Sequence, residues 1–178
     1  MSNIVKEDEL ELLLQDESYK YYLFKPRWGR LFPKSGSMRE MNALQIMRFS
    51  IMKIYGCRIY VITDTKDEVL GSIAFSSGAQ YRFPFATRND LIYGPSYTVP
   101  QYRGLGIAAK LADMVLHRFE TNYSVVYATV KESNISSLRC MKKNGFKETA
   151  RLSVNKFTKS FCKAVNGDHI LVEYRPEK

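Results

Sequence analysis

Hydrophobic residues in this chain are grouped into short extended segments separated by polar turns. Segments rich in aromatic and β-branched residues, alternating with polar ones or unbroken, are typical of strands. They predict strands at 19–27, 57–63, 68–77, 90–99, 124–130, 146–153 and 169–175. The polar turn at 64–67 predicts an antiparallel hairpin. The longer loop at 78–88, rich in aromatic residues and arginine, is of the kind that covers a site.

Spacings of three and four between apolar residues predict helices at 38–55, 104–119 and 134–144, with a short acidic helix at 6–16. Ser37 and Glu40 form a capping-box pattern at the start of the first long helix, and Gly56 follows its end. Gly145 and Phe146 are the glycine and apolar residue that commonly close a helix. The apolar stripe of the helix at 38–55 consists of Met41, Leu44, Met47, Ile51 and Ile54.

The order of elements is strand, helix, three strands, helix, strand, helix and two strands. Adjacent antiparallel strands together with a strand–helix–strand crossover predict an α/β (α+β) fold, in which a mixed, mostly antiparallel central sheet of six to seven strands is flanked by helices. The 178 residues suit one domain. We therefore expect a single domain over residues 1–178, with residues 1–18 as an N-terminal extension or helix.

Charge adds an expectation about partners. The formal net charge is +9, and it is unevenly placed because residues 1–17 hold six acidic groups and one lysine. A basic body attracts anions such as nucleic acid, a phosphorylated cofactor or an acidic membrane surface. The basic residues are scattered and form no recognition motif, so nucleic acid is not expected. A mean hydropathy of -0.29 argues against a membrane protein.

The number and spacing of the cysteine and histidine residues indicate whether disulfides or a metal site are expected. Cys57, Cys140 and Cys162 have unrelated spacings, and only His117 and His169 could complete a metal site. We therefore expect free thiols and no metal. The first residues include an acidic cluster where a secretory signal needs a basic start and an apolar stretch, so we expect a cytoplasmic protein.

The stretch VPQYRGLGIAAKL at 99–111 places two glycines one residue apart before an apolar, alanine-rich segment. Gly104 and Gly106 allow the backbone to approach a ligand closely. The first amides of a helix are unpaired and carry the positive end of its dipole. A strand, a glycine loop and a helix in this order therefore predict a phosphate cradle, with added charge from Arg103. The alternative is a tight connection that binds nothing.

Two known phosphate-binding motifs, the P-loop and the dinucleotide fingerprint, do not fully match this stretch. A P-loop is excluded because no Gly-Lys-Ser/Thr follows the glycines. The dinucleotide fingerprint G-x-G-x-x-A is met by Gly104, Gly106 and Ala109. However, residues 100–103 separate these glycines from the strand end. Glu132 also lies 28 residues after Gly104, where the acidic residue of that fingerprint is expected after about 20.

Two motifs in sequence order point to a family. Residues 97–108, YTVPQYRGLGIA, contain the pattern Q/R-x-x-G-x-G/A through Gln101, Gly104 and Gly106. Residues 128–149, ATVKESNISSLRCMKKNGFKET, place an asparagine before a helix that ends in Gly-Phe. These stretches resemble motifs A and B of the GNAT acetyltransferase superfamily, and the element order resembles its fold. The resemblance implies an acetyl-CoA-dependent N-acetyltransferase that acts by direct transfer in a ternary complex.

The resemblance also implies which residues bind the coenzyme. Amides from Arg103 to Gly106 and of the following helix hold the pyrophosphate, and the strand around 97–99 pairs with the pantetheine arm. Asn134 contacts a pantetheine amide, with a plain helix N-cap as its alternative role. The full set is Tyr97, Thr98, Val99, Gln101, Arg103, Gly104, Leu105, Gly106, Ile107, Ala108, Asn134, Ser137 and Met141.

Catalytic residues are implied less directly. Many family members protonate the departing thiolate with a tyrosine five residues before the phenylalanine of the Gly-Phe pair, and this chain has Met141 there. A thiol pKa of about 8.5 makes the thiolate a fair leaving group that water can protonate. Ser137, one helical turn earlier, is the candidate to carry that water. Tyr97 and Glu173 are the candidate bases.

The expected acceptor is a primary amine of a small molecule, in a pocket shaped by the helix at 38–55, the loop at 78–88 and the segment 154–168. Basic residues there favour an anionic acceptor or form a solvated face. Residues 93–107 resemble acetyltransferases of bacterial surface-polysaccharide pathways, which makes an amino sugar a more specific alternative. Because Met141 replaces the tyrosine, a catalytically weak acyl-CoA-binding sensor or regulatory domain is the rival function. A homodimer is left open.

Overall fold

The computed structural model describes residues 10–33 and 43–176. Its nine strands form one mixed, mostly antiparallel sheet, which confirms the predicted fold class. A 3₁₀ turn at Pro100–Tyr102 and a π-helical turn at Val115–Phe119 flank the second helix. Within the described ranges, no helix is long and apolar enough to cross a membrane. The elements are β1 (Glu11–Gln15), β2 (Tyr19–Phe24), α1 (Ala43–Ile54), β3 (Arg58–Asp64), β4 (Val69–Ser77), β5 (Leu91–Thr98), α2 (Ile107–Met114), β6 (Val126–Lys131), α3 (Ile135–Lys143), β7 (Lys147–Val154), β8 (Phe161–Lys163) and β9 (His169–Tyr174).

The chain forms two compact units, and the first combines Met1–Ser76 with Gly94–Phe119. It contains β1 to β4, each antiparallel to the next. Met47 and Ile54 of α1, which the sequence places on the apolar stripe, are 54% and 68% exposed, so these two residues do not lie on the buried face of this helix. The core of this unit includes Tyr22, Phe24, Phe49, Met52, Ile59 and Val61.

The second unit combines Ser77–Tyr93 with Glu120–Lys178. It contains a parallel pair, in which β5 is bonded to β6 at Leu91 and Ile92. β9 lies antiparallel between β6 and β7, and β8 pairs with β7. The loop at 78–88 and the strands contribute side chains to one buried cluster, which is formed by Phe83, Ile92, Val125, Tyr127, Leu152, Phe161 and Leu171.

The sheet has nine strands, whereas six to seven were expected, and the two additional strands are β1 and β8. β1 covers residues expected to be helical, and that expectation is wrong. Asp16 Oδ1 accepts hydrogen bonds from the amides of Ser18 and Tyr19, at 2.8 and 2.7 Å, and this turn reverses the chain so that β1 pairs with β2. β8 has three residues, too few to show a period of two, and is defined by its pairing with β7. Both strands depend on a partner that their own residues do not reveal.

Among the described residues, the start of α2 differs from the prediction. α3 lies within one residue of the predicted 134–144 at each end, so that helix is confirmed. α2 begins at Ile107 and not at 104, because Gly104 and Gly106 adopt left-handed backbone angles that an α-helix excludes. The capping-box pattern at 37–40 lies outside the described residues. The single domain over residues 1–178 stays a prediction.

Candidate functional site

The segment between β5 and α2 forms the glycine loop expected from the sequence. After the 3₁₀ turn, Arg103 is extended and Gly104, Leu105 and Gly106 are exposed. The φ angles of Gly104 and Gly106 are 81° and 78°. Gly106 is the N-cap of α2 and makes no side-chain capping hydrogen bond. At this helix start, therefore, no capping side chain closes the N-terminal amides.

The main-chain amides of residues 104–108, in this loop and at the start of α2, have no hydrogen-bond acceptor among the described residues. Lys110 N donates to Gly106 O at 2.9 Å, whereas the amides of residues 104–108 donate to no other described residue. A Cβ built on Gly104 or Gly106 meets no protein atom within 4 Å. Unpaired amides at a helix N-terminus carry the positive end of the dipole and favour an anion. The loop can therefore hold a phosphate through main-chain N–H groups.

Two side chains of the loop are bonded to its surroundings. Gln101 Nε2 donates to Glu68 Oε1, in the turn between β3 and β4, at 3.1 Å. Gln101 therefore ties the loop to that turn. Arg103 Nε donates to Thr98 O at 3.2 Å, and Arg103 is exposed. A positive charge thus lies at the mouth of the loop.

The end of β5 has one edge against β4. Val99 N donates to Leu70 O at 3.0 Å. A Cβ on Gly71 would lie 2.8 Å from Tyr97 O, so this close approach requires the glycine. Successive residues of a strand direct their backbone groups to opposite edges, so the N–H and C=O of Thr98 point away from β4. Thr98 is therefore the residue here whose backbone can pair with an extended ligand.

The start of α3, in the second unit, is closed by its own side chain. Asn134 Oδ1 accepts hydrogen bonds from Ser137 N at 3.2 Å and from Ser136 Oγ at 3.0 Å. The N-cap interpretation of Asn134 is thereby confirmed. Asn134 is exposed, so its side-chain NH₂ can still donate to a ligand while its oxygen caps the helix.

Met141 lies near the end of α3 and is 3% exposed. Its carbonyl accepts from Phe146 N, and that of Lys142 accepts from Gly145 N, both at 3.1 Å. These two bonds close the helix, as the Gly-Phe pair predicts. Ser137, one turn earlier, is partly buried. Met141 is therefore a buried thioether, which has no proton to donate.

The two candidate bases lie in different units. Glu173 on β9 has both oxygens bonded: Oε1 accepts from Thr149 Oγ1 and Oε2 accepts from Arg175, each at 3.0 Å. Its carboxylate therefore serves neighbouring side chains of the sheet. Tyr97 on β5 is partly buried. Their roles as bases stay predictions.

The described residues include no group of three or more His, Cys, Asp or Glu that could hold a metal ion. Cys57, Cys140 and Cys162 are free. Burial raises the pKa of Cys57 to about 12 and also raises the pKa of Cys140. Because the thiolate is the reactive form, both groups are poor nucleophiles at neutral pH.

The predicted coenzyme residues are divided between the units. Residues 97–108 lie in the first, and Asn134, Ser137 and Met141 lie in the second. Glu68, the partner of Gln101, was not expected from the sequence. It lies 33 residues away along the chain, and no local pattern marks it. The assignment of these residues to coenzyme binding stays a prediction.

Comparison with known protein families gives a match over residues 21–146, which is more than half of the chain. The matching family is described as the acetyltransferase (GNAT) family. No sequence among curated proteins matches significantly.

Solved structures share the fold. The yncA protein of Salmonella typhimurium, solved with its cofactor acetyl-CoA, is 18% identical with a TM-score of 0.55, over 79% of this chain and 77% of that chain. The spermidine N-acetyltransferase of Vibrio cholerae in complex with CoA and spermine is 15% identical with a TM-score of 0.55, over 87% and 95%. The aminoglycoside acetyltransferase AAC(6')-Ib with coenzyme A is 14% identical with a TM-score of 0.55, over 71% and 70%.

Proposed function

Because this chain belongs to the GNAT acetyltransferase family, we propose that it transfers the acetyl group of acetyl-CoA to a primary amine of a small molecule. The observation that carries the proposal is the row of amides at residues 104–108, which donate to no other described residue at the start of α2. Such a row suits a diphosphate, and the pyrophosphate of acetyl-CoA is one.

The end of β5 supports binding of the pantetheine arm. Pantetheine carries amide groups that can pair with a strand edge, and Thr98 directs its N–H and C=O away from β4. Arg103 Nε now donates to Thr98 O at 3.2 Å. Binding would replace this donor with an amide of the cosubstrate and leave the guanidinium free for the phosphates. The exposed NH₂ group of Asn134 is the proposed donor to a pantetheine carbonyl.

The proposed chemistry is direct transfer. A primary amine with a pKa of about 10.4 must lose a proton before it attacks, and Tyr97, Glu173 or water accepts that proton. The nitrogen lone pair then attacks the thioester carbon, the nitrogen gives up a second proton to solvent, the carbon–sulfur bond breaks, and CoA leaves as its thiolate. A backbone amide of β5 stabilises the charge that develops on the carbonyl oxygen. Because Met141 has no proton to donate, the thiolate takes its proton from water, with Ser137 as the proposed contact.

The acceptor class is supported by two of the structural relatives. One is a spermidine N-acetyltransferase and another is an aminoglycoside acetyltransferase. We place an amino sugar as the more specific candidate within the same class of small amines. A cytoplasmic location is also proposed, since a reducing compartment suits three free cysteines.

Two measurements test the proposal. Calorimetry should show acetyl-CoA binding, and a thiol-release assay over spermidine, glucosamine and simple alkylamines should show turnover. Tight binding without turnover on any amine would support the acyl-CoA-binding sensor, the rival that the buried Met141 favours. Absence of acetyl-CoA binding, or a preference for NAD, would contradict both functions.

A further inference from the structure

The turn between β3 and β4, residues 64–68, is closed by its own polar groups. Asp64 Oδ1 accepts hydrogen bonds from Lys66 N at 2.9 Å and from Glu68 N at 2.8 Å. Asp64 N donates in return to Glu68 O at 3.0 Å. An aspartate that bonds the backbone of the following residues fixes a turn in this way. The backbone of Glu68 is therefore held at both its N–H and its C=O.

Asp67 anchors the same turn to β2. It has a φ of 64°, which a residue other than glycine rarely adopts. Its Oδ2 accepts from Lys20 Nζ at 2.8 Å, and its Oδ1 accepts from Tyr22 Oη at 2.6 Å. The side chains of Lys20 and Asp67 are 17% and 30% exposed, so solvent screens this ion pair less than a surface pair. The turn and β2 therefore form one fixed support.

From this support, the side chain of Glu68 reaches the chain that leads into the glycine loop. Its Oε1 accepts a hydrogen bond from Gln101 Nε2 at 3.1 Å, and Gln101 lies in the 3₁₀ turn that precedes the glycines. Val99 N, before that turn, donates to Leu70 O at 3.0 Å. The entry to the glycine loop is thus joined to the hairpin of β3 and β4 by a main-chain bond at Val99 and by a side-chain bond at Gln101.

The charge of Glu68 is the opposite of what a phosphate site needs. The glycine loop offers main-chain amides and the guanidinium of Arg103, both of which favour an anion. The field of a carboxylate repels an anion and by itself weakens the binding of a diphosphate. Any favourable contribution of Glu68 to coenzyme binding must therefore come from the hydrogen bond that it accepts.

We propose that Glu68 is a positioning residue for the coenzyme: by holding Gln101, it keeps the amides of residues 104–106 in the orientation that binds the diphosphate. Gln101 in turn acts through Glu68 and not through a contact of its own with acetyl-CoA. Without this bond the loop samples more conformations, and ordering them on binding lowers the affinity. The inference rests on the proposed binding of acetyl-CoA and identifies what supports the loop that binds it.

The test measures acetyl-CoA affinity by calorimetry, together with KM and kcat in the thiol-release assay. Glu68→Ala removes the acceptor. We expect the affinity to fall and the KM for acetyl-CoA to rise about fivefold, as for one hydrogen bond, with kcat, the KM for the amine and the melting temperature unchanged. Glu68→Gln keeps an acceptor oxygen for Gln101 and removes the repulsion, so it should bind acetyl-CoA at least as tightly as the wild type. If only the charge mattered, Glu68→Ala would bind more tightly too.

Two further variants locate the effect. Gln101→Ala should show the same loss as Glu68→Ala, and the double variant should lose no more than either one, because both changes remove the same bond. Glu17→Ala is the control for net charge, since Glu17 is exposed and lies in the same unit. It should bind acetyl-CoA as the wild type does.

Three results would overturn the inference: wild-type affinity in Glu68→Ala, an equal loss in Glu68→Gln and Glu68→Ala, or losses of Glu68→Ala and Gln101→Ala that add. Failure of the wild type to bind acetyl-CoA is a different result, which contradicts the proposed function. Trypsin cleavage after the exposed Arg103 then tests the support of the loop directly. Faster cleavage in Glu68→Ala than in the wild type and in Glu68→Gln supports the positioning role, and equal cleavage overturns it.

Discussion

Two helix starts in this chain carry residues that the sequence assigns to one coenzyme, yet they are built in opposite ways. At α3, Asn134 accepts a hydrogen bond from Ser137 N, so the helix satisfies its own amide. At α2, the N-cap is Gly106, which has no side chain to do so. Substituting a good capping residue by glycine costs only a few tenths of a kcal/mol, whereas leaving several amides open creates an anion site. The α2 start therefore leaves its first amides available to a ligand, whereas at the α3 start the side chain of Asn134 caps the amide of Ser137.

The largest effect on acetyl-CoA affinity should come from placing a side chain at Gly106, at the start of α2. Gly106 has a φ of 78°, and a Cβ there meets no protein atom within 4 Å. Gly106→Val should therefore preserve the fold at a strain cost of about 1–2 kcal/mol, and its side chain should occupy the place of the diphosphate. We expect acetyl-CoA affinity, measured by calorimetry, to fall at least about 100-fold, or about 2.7 kcal/mol.

Gly29 provides a matched control for the strain. Its φ is 81°, and a Cβ there also meets no protein atom within 4 Å. Gly29→Val should lower the melting temperature as Gly106→Val does, while acetyl-CoA affinity stays at the wild-type value. If Gly106→Val binds acetyl-CoA as tightly as Gly29→Val, the loop is a simple connection between β5 and α2.

The same contrast shows where sequence patterns decide structure. The glycine loop and the end of α3 were predicted because the conformations of Gly104, Gly106 and Gly145 are set by their own backbone preferences. Asn134 was predicted as an N-cap for the same reason. In each case the determining chemistry lies within a few residues of the feature. The class of fold followed from the order of these local elements.

Contacts between distant segments were not predictable in this way. β1 and β8 are strands because of what they pair with. Ile54 shows the same limit of sequence-based prediction, because its spacing fits an apolar stripe and yet it is 68% exposed. The buried face of α1 is set by the sheet on which the helix packs. In the candidate site, Glu68 binds Gln101 across 33 residues of sequence. A motif identifies the loop, and only the fold shows what anchors it.

A smaller loss of acetyl-CoA affinity is expected when the positive charge of Arg103, beside the start of α2, is removed. Arg103 donates to Thr98 O and is exposed, so its guanidinium can turn to a phosphate. A hydrogen bond to a charged group contributes about 1.5–3 kcal/mol, so Arg103→Met should weaken acetyl-CoA binding by about tenfold or more. Since salt screens exposed charges, the difference from wild type should shrink as the ionic strength of the titration increases.

Arg118, an exposed arginine of the π-helical turn after α2, is the control for net charge. Arg118→Met removes one positive charge from the same unit and should leave acetyl-CoA affinity unchanged. An equal loss in both variants would mean that only the overall field of the protein matters, and Arg103 would have no contact of its own.

At the start of α3, the capping role of Asn134 and its proposed role in coenzyme binding can be tested separately. Asn134→Ala removes both the cap and the donor, and it should cost about 1 kcal/mol of stability, lowering the melting temperature by about 2–4 °C. Asn134→Ser keeps a cap for Ser137 N and removes the side-chain NH₂. It should melt as the wild type does and bind acetyl-CoA about fivefold more weakly, as expected for one neutral hydrogen bond of about 1 kcal/mol. Wild-type affinity in Asn134→Ser would leave Asn134 as a cap alone.

The smallest effect is expected at the other end of α3. Met141 is 3% exposed and carries no acidic hydrogen, so its side chain serves the packing of the helix. Met141→Leu is close to volume-conserving and should cost less than about 1.5 kcal/mol. Because neither side chain can protonate the thiolate, kcat should stay within about twofold of the wild type across pH 6–9. A tenfold fall in kcat with unchanged melting temperature would show that Met141 contacts the reacting groups, and the packing role assigned to it here would be wrong.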